Sequence, residues 1–260
     1  MTEVYERLRD ALRAARPVAL ATVVAGTHLG AKLLVEAGQA AIGTLGDPGL
    51  DRVVGRDAEG ELEAGLTSTR HYGPHGEARA REVSVFIESF VRPPRMLIFG
   101  AVDFTAALAR GAKLLGYQVT VCDARSVFAT RARFPTADAV VNDWPDRYLA
   151  AVGSDLGPRD AICVLTHDTK FDVPALVAAC ATSVGYIGAM GSRRTHDKRA
   201  ARLREAGLVD ADIDRILSPI GLDIGARTPE ETAISICAEI IARRTGRAAP
   251  SLRDGSGPIH

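Results

Sequence analysis

The sequence predicts an α/β protein: a doubly wound parallel sheet in the C-terminal part, preceded by a small α+β domain. Three observations predict it. From Met96 onward, short apolar runs alternate with stretches of helix length. Those runs are continuously apolar rather than alternating, as strands are when helices cover both faces of a sheet. The segment "VRPPRM" then sets two prolines between basic residues, a stiff break between this region and what precedes it.

The elements follow in order. "MTEVYERLRDALRAARP" reads as an amphipathic helix carrying charges throughout. "PVALATVVAG" and "AKLLVEAGQAAIGTLG" read as strands, the second broken by Gly38 into a hairpin. "LTSTRHYG" and "EVSVFIESF" are further strands, so residues 1–91 form an α+β unit and 92–95 a linker. Residues 96–245 then alternate. Strand "MLIFG" is followed by a helix from Phe104 to Leu115, strand "QVTVCD", the short piece "ADAVV", a helix near Asp146 to Val152, and strand "DAICVLTHD". Helix "VPALVAACAT", strand "GYIGAMG", a helix from Arg194 to Ala206 and a last helix from Pro229 to Arg244 complete a Rossmann-like sheet. Residues 246–260 lack periodicity and read as a loose tail.

At 260 residues and 47% hydrophobic composition, the chain can fill two cores. Lys+Arg and Asp+Glu both number 32, so no bulk charge favours nucleic acid or an anionic membrane. No apolar run approaches a membrane span, and a cytoplasmic globular protein is the expectation. The four cysteines lie singly in apolar elements, without metal-ligand or redox spacing, and read as reduced, buried small hydrophobes. Several apolar elements need cover, which makes a homodimer one expectation.

Ligands of open parallel sheets bind beyond the carboxyl ends of the strands, so the residues there carry the functional reading. Gly100 opens the first turn, and Asp123 ends the next strand where a ribose-binding acid would stand. Val102 and Thr105, however, occupy the second and third glycine positions of G-x-G-x-x-G. A branched side chain at 102 stands where a pyrophosphate would touch backbone. The simpler reading is a tight turn needing only Gly100. His167 and Asp168 follow the strand 161–165: His167 suits proton transfer, and Asp168 suits orienting it, binding an amine or capping a helix, whereas Asp172 reads as a cap. In "GYIGAMGSRRTHDKR", Gly185, Gly188 and Gly191 lead into Ser192, Arg193 and Arg194 at a helix start. Cations there oppose the helix dipole unless an anion intervenes, so the loop reads as a phosphate cradle with a solvated basic face as the alternative. "TPEE" is an ordinary capping box. In "PIGLDIG", Asp223 sits between apolar neighbours and needs a partner, either Arg193 or a ligand.

"YIGAMGSRRTHDKR", "PIGLDIGARTPEETAISICAEI" and "VLTHDTKFDVPAL" together resemble the XdhC/CoxI family of accessory proteins for molybdenum hydroxylases, over about residues 96–244. "GTHLGAKLLVEAGQAAIGTLG" is similar to the family's N-terminal segment. The resemblance implies binding of the molybdenum cofactor, a phosphate-bearing pterin, and its delivery to a xanthine dehydrogenase-type enzyme by a chaperone rather than a catalyst. It implies the recipient hydroxylase and a cysteine desulfurase as partners. Arg193 and Arg194 would then hold the phosphate, while Asp123, His167 and Asp223 line the pterin crevice. Two departures stand out. The family's G-A-G-H turn is Gly100-Ala101-Val102-Asp103 here, and its S-G-G-C-x-E turn corresponds to "LGDPGLD", with Gly49 near the cysteine position. An NAD(P)-dependent oxidoreductase, which Val102 opposes, and a ligand-free interaction module are the alternatives.

Overall fold

The computed structural model describes residues 2–78 and 80–254. Of the tail expected over 246–260, residues 255–260 lie outside the described residues, and Leu252–Asp254 forms a turn of 3₁₀ helix. The chain divides into two units, Met1–Arg92 and Pro93–His260.

The first unit contains α1 (Thr2–Arg13), β1 (Val18–Ala25), β2 (Lys32–Val35), β3 (Ile42–Thr44), α2 (Pro48–Ala64), β4 (Ser68–Tyr72) and β5 (Val83–Phe90). Its strands form an antiparallel sheet in the order β3-β2-β1-β5-β4. Val83, Val85 and Ile87 of β5 alternate inward, as the period-two rule requires. They meet α2, whose buried Leu50, Val54, Ala58 and Leu62 recur every four residues. Val4 and Ala11 of α1 join Val18, Leu20 and Leu34 in a second, smaller cluster. The sequence reading did not anticipate α2. The signals were present: Asp47 caps it by accepting from the Gly49 and Leu50 amides, and Pro48 takes the first turn.

The second unit contains β6 (Arg95–Phe99), α3 (Asp103–Leu114), β7 (Gln118–Cys122), β8 (Ala139–Val141), α4 (Pro145–Val152), β9 (Ala161–Val164), α5 (Thr169–Cys180), β10 (Tyr186–Ala189), α6 (Arg193–Glu205), α7 (Asp210–Ile213), β11 (Ile216–Leu217) and α8 (Pro229–Thr245). All strands pair in parallel, in the order β11-β10-β9-β6-β7-β8. Met96 and Ile98 of β6 face a core shared with α3 and α8, while Leu97 and Phe99 face one shared with α4, α5 and α6. Burial on both faces is why the strand reads as an unbroken apolar run. The chain runs from β6 to β7 on one side and returns to β9 on the other. The switch point therefore lies between β6 and β9, the place where such sheets open a crevice. The short α7 and β11 are additions that the sequence did not announce.

The four cysteines are buried and free, and burial raises the thiol pKa of each. Among the described residues, no helix is long and apolar enough to cross a membrane.

Candidate functional site

The first turn after β6 is closed upon itself. Gly100 has φ +113°, and a Cβ there would stand 2.6 Å from Thr166 Cγ2 and 3.0 Å from the Thr166 amide nitrogen. Only glycine fits. The next amide, of Ala101, donates to Asp123 Oδ2 at 2.7 Å. Thr105, fully buried, donates its hydroxyl to the Gly100 carbonyl, so a side-chain bond ties helix to strand where the dinucleotide pattern uses a third glycine. Val102 is half-buried at the N-terminus of α3, with no side-chain capping bond. The amide a pyrophosphate would seek is thus committed to a carboxylate.

Asp123 is 2% exposed and accepts four bonds: from the Ala101 amide, from the Arg125 amide at 2.9 Å, and from Arg125 Nε and Nη2 at 2.9 and 2.7 Å. Burial alone would raise its pKa; the bonds from Arg125 and Ala101 outweigh burial and hold it below the ordinary carboxylate value. With its acceptors engaged internally, Asp123 fixes Arg125 in place. The ligand-facing group at this strand end is then the arginine.

A cavity of about 480 Å³ opens at the switch point, lined by Val102, Arg125, Phe171 and the run from Thr166 to Thr169. His167 and Asp168 are exposed at its rim. Asp168 also caps α5, accepting from the Lys170 amide at 3.1 Å. The cap expected of Asp172 is not made. Asp172 is 2% exposed, its Oδ2 lies 3.0 Å from Arg199 Nη2, and its Oδ1 accepts from the Thr166 hydroxyl. Burial pushes its pKa up to about 6, against the pull of Arg199. Arg199, itself 4% exposed, also donates to the Met190 carbonyl at 2.8 Å and to Ser218 Oγ at 3.1 Å. This ion pair ties the ends of β9, β10 and β11 beneath the crevice.

The expected glycine loop contracts to one residue. Gly188 is a correction: it lies buried inside β10, where a Cβ would meet Ile220 Cδ1 at 2.4 Å, so it serves packing rather than a ligand. Gly185 is likewise a packing residue, close against the Pro158 carbonyl. Gly191, at φ +149°, makes the turn. Ser192 caps α6 by accepting from the Thr195 amide at 3.1 Å. Arg193 and Arg194 are exposed in the first turn of α6, which contains no acidic residue. Asp223 is a second correction. Gly221 and Gly225 do adopt positive φ, but Asp223 is exposed and Ile224 is 54% exposed, so the carboxylate keeps its water and needs no partner.

The sequence reading missed Arg125, Phe128, Trp144, Phe171 and the partnership of Asp172 with Arg199. An acid and an arginine two apart, directly after a strand, was the available signal for Arg125. In the first unit, a Cβ at Gly49 would stand 2.6 Å from the His75 carbonyl oxygen, and His75 Nδ1 lies 2.8 Å from Asp47 Oδ2. The position near the family's cysteine is closed by backbone.

Two family models match the chain: the XdhC Rossmann domain over residues 96–240 and the XdhC and CoxI family over 11–73. A protein of Bacillus subtilis (strain 168), named as a probable xanthine dehydrogenase subunit, is 30% identical over 240 residues, 92% of this chain and 64% of that protein. The uncharacterised Escherichia coli (strain K12) protein YqeB is 29% identical over 219 residues, 81% of this chain and 40% of that one. The molybdenum cofactor insertion chaperone PaoD of Escherichia coli (strain K12) is 32% identical over 99 residues, 38% of this chain and 31% of that one. The chain therefore spans less than two thirds of the length of these relatives. A solved structure from Bacillus halodurans, described as a xanthine dehydrogenase, superposes with a TM-score of 0.53 at 20% identity, covering 95% of this chain and 97% of that one. At that identity the likeness concerns the fold.

Proposed function

This chain belongs to the XdhC and CoxI family, and from that premise we propose that it is an accessory protein that binds the molybdenum cofactor and hands it to a xanthine dehydrogenase-type hydroxylase. The observation that carries the reading is the family match over 96–240, the stretch holding every strand end that faces the crevice. A relative named as a cofactor insertion chaperone supports it.

The residues present suit a phosphate-bearing pterin as cargo. The exposed Arg193 and Arg194, beside the N–H groups of the first turn of α6, supply charge-assisted donors for a phosphate and relieve their own conflict with the helix dipole by holding it. The cavity at the switch point is of a size that small ligands fill. His167 and Asp168 at its rim offer hydrogen bonds to ring nitrogens and exocyclic groups. Asp172 and Arg199 brace the floor. No cysteine offers the metal a thiolate, since all four are buried with raised pKa, so the cargo is gripped by its organic part. A cytoplasmic setting, a sulfurating cysteine desulfurase as a further partner, and a homodimer belong to the same proposal.

The test is transfer. Protein preloaded anaerobically with the cofactor is mixed with a cofactor-free xanthine dehydrogenase-type hydroxylase, and activity is followed. Activation exceeding that by the same amount of free cofactor is expected; equal activation with and without the protein contradicts delivery.

A further inference from the structure

The wall of the crevice and the ends of β7 and β8 carry an aromatic and guanidinium cluster that the phosphate grip leaves unused. Arg125 is held edge-on by Asp123 through Nε and Nη2, with its own amide bonded to the same carboxylate. A guanidinium fixed along its edge turns its faces to aromatic rings, and here those rings are the chain's own. Its central carbon lies 4.7 Å from the centroid of the Phe128 ring and 5.9 Å from that of Phe171. Phe171 forms part of the cavity wall and meets Trp144 with ring centroids 5.0 Å apart, tilted by 47°.

Exposure is the second observation. Phe128 is 40% exposed and Trp144 38%, in a chain with only 5% aromatic residues and a single tryptophan. Rings left partly in water beside a fixed guanidinium, at the strand ends where open sheets bind ligands, form a surface suited to a flat partner. An anion alone would not need them. The distribution of charge agrees. The phosphate-suited turn of Arg193 and Arg194 follows β10, whereas Arg125 and Phe128 follow β7, three strand positions away or about 14 Å. One extended ligand, with a ring at one end and a phosphate at the other, reaches both.

We propose that Phe128, Trp144 and Arg125, backed by the buried Phe171, form a stacking site for the flat nitrogen heterocycle of the cargo, separate from the site that grips its phosphate. The proposal rests on the accessory-protein reading for the identity of the cargo and stands on its own for the class of ring. Two sources share this chemistry: the pterin itself, and a nucleobase attached to it.

Trp144, as the single tryptophan, reports directly. Its emission is titrated in the full chain with a free oxidised pterin, and separately with cytidine and adenosine diphosphates. The titrations are repeated in Phe128→Ala, in Arg125→Lys and in the neighbouring exposed control Val127→Ala, with circular dichroism verifying the fold. Saturable quenching by one ring class, weakened at least tenfold in Phe128→Ala and Arg125→Lys and unchanged in Val127→Ala, is expected, and the class that quenches identifies the ring. Quenching by neither class, or equal affinity in all four proteins, overturns the site. Retention of molybdenum after gel filtration with the intact cofactor is measured in parallel. Retention without ring-dependent quenching removes the stacking site and leaves the accessory function standing; ring binding without retention supports the stacking site and removes the accessory function.

Discussion

Replacing Arg199 by methionine should expose how much the crevice floor depends on one buried ion pair. Arg199 and Asp172 are 4% and 2% exposed, with 3.0 Å between Nη2 and Oδ2. Methionine keeps much of the apolar volume but leaves the carboxylate buried and uncompensated, a loss of about 3–5 kcal/mol when the carboxylate is ionised. The pH dependence gives the prediction its signature. The pKa of Asp172 is pushed up by burial to about 6, from an unfolded value of about 3.9. A raised acid pKa means that the folded state binds the proton more tightly, so this contribution to stability is fully present below about 4 and is lost as pH rises through about 6. At pH 5 the variant should therefore lose the hydrogen bonds to Met190, Ser218 and the protonated Asp172, about 2–3 kcal/mol, without the cost of a bare buried charge. At pH 8 it should lose the larger amount. Urea unfolding at the two pH values measures both, and adding Asp172→Asn to the variant should recover stability at pH 8. A cost below 1 kcal/mol, or one that does not change between pH 5 and pH 8, would refute the reasoning.

Three further outcomes are expected. Gly100→Ala forces a side chain into φ +113° and against Thr166, and should cost about 2 kcal/mol or more in urea unfolding; wild-type stability would show that the turn can relax. Gly49→Cys, which introduces the residue that the family resemblance implies near this position, meets the His75 carbonyl and should destabilise by about 1–3 kcal/mol rather than yield a usable thiolate, as urea unfolding and thiol titration of the native protein would report. Asp123→Asn removes a buried carboxylate whose pKa is held down by Arg125 against the effect of burial; that stability is present above about 4 and is lost as pH falls through the depressed value. Its cost should accordingly be larger at pH 7 than at pH 3, and equal costs would count against the Asp123–Arg125 clamp.

The parallel sheet was legible because its cause is local. A strand whose neighbours in sequence, Met96 and Leu97, face different cores must be apolar at every position. Helix α2 was hidden by "GDPG", which reads as a turn although Asp47 and Pro48 are also a helix start. Gly188 looked like a phosphate glycine because sequence shows the missing side chain but not the Ile220 methyl that excludes it. Asp223 looked buried because Leu222 and Ile224 flank it, yet Ile224 faces water. Asp172 was misassigned for the same reason: its partner Arg199 stands 27 residues away, and the acid reads as an ordinary cap until the fold joins them. Positions set by contact across the fold leave little trace in the neighbouring letters.

The central claim is that the strand ends of the second unit hold the molybdenum cofactor through its phosphate. The most direct test is an anaerobic titration of the purified protein with freshly released cofactor, in wild type and in an Arg193→Ala, Arg194→Ala double variant. Saturable binding that the double substitution weakens tenfold or more, about 1.4 kcal/mol, is the predicted result. Absence of binding in wild type, or equal affinity in the two proteins, would contradict it.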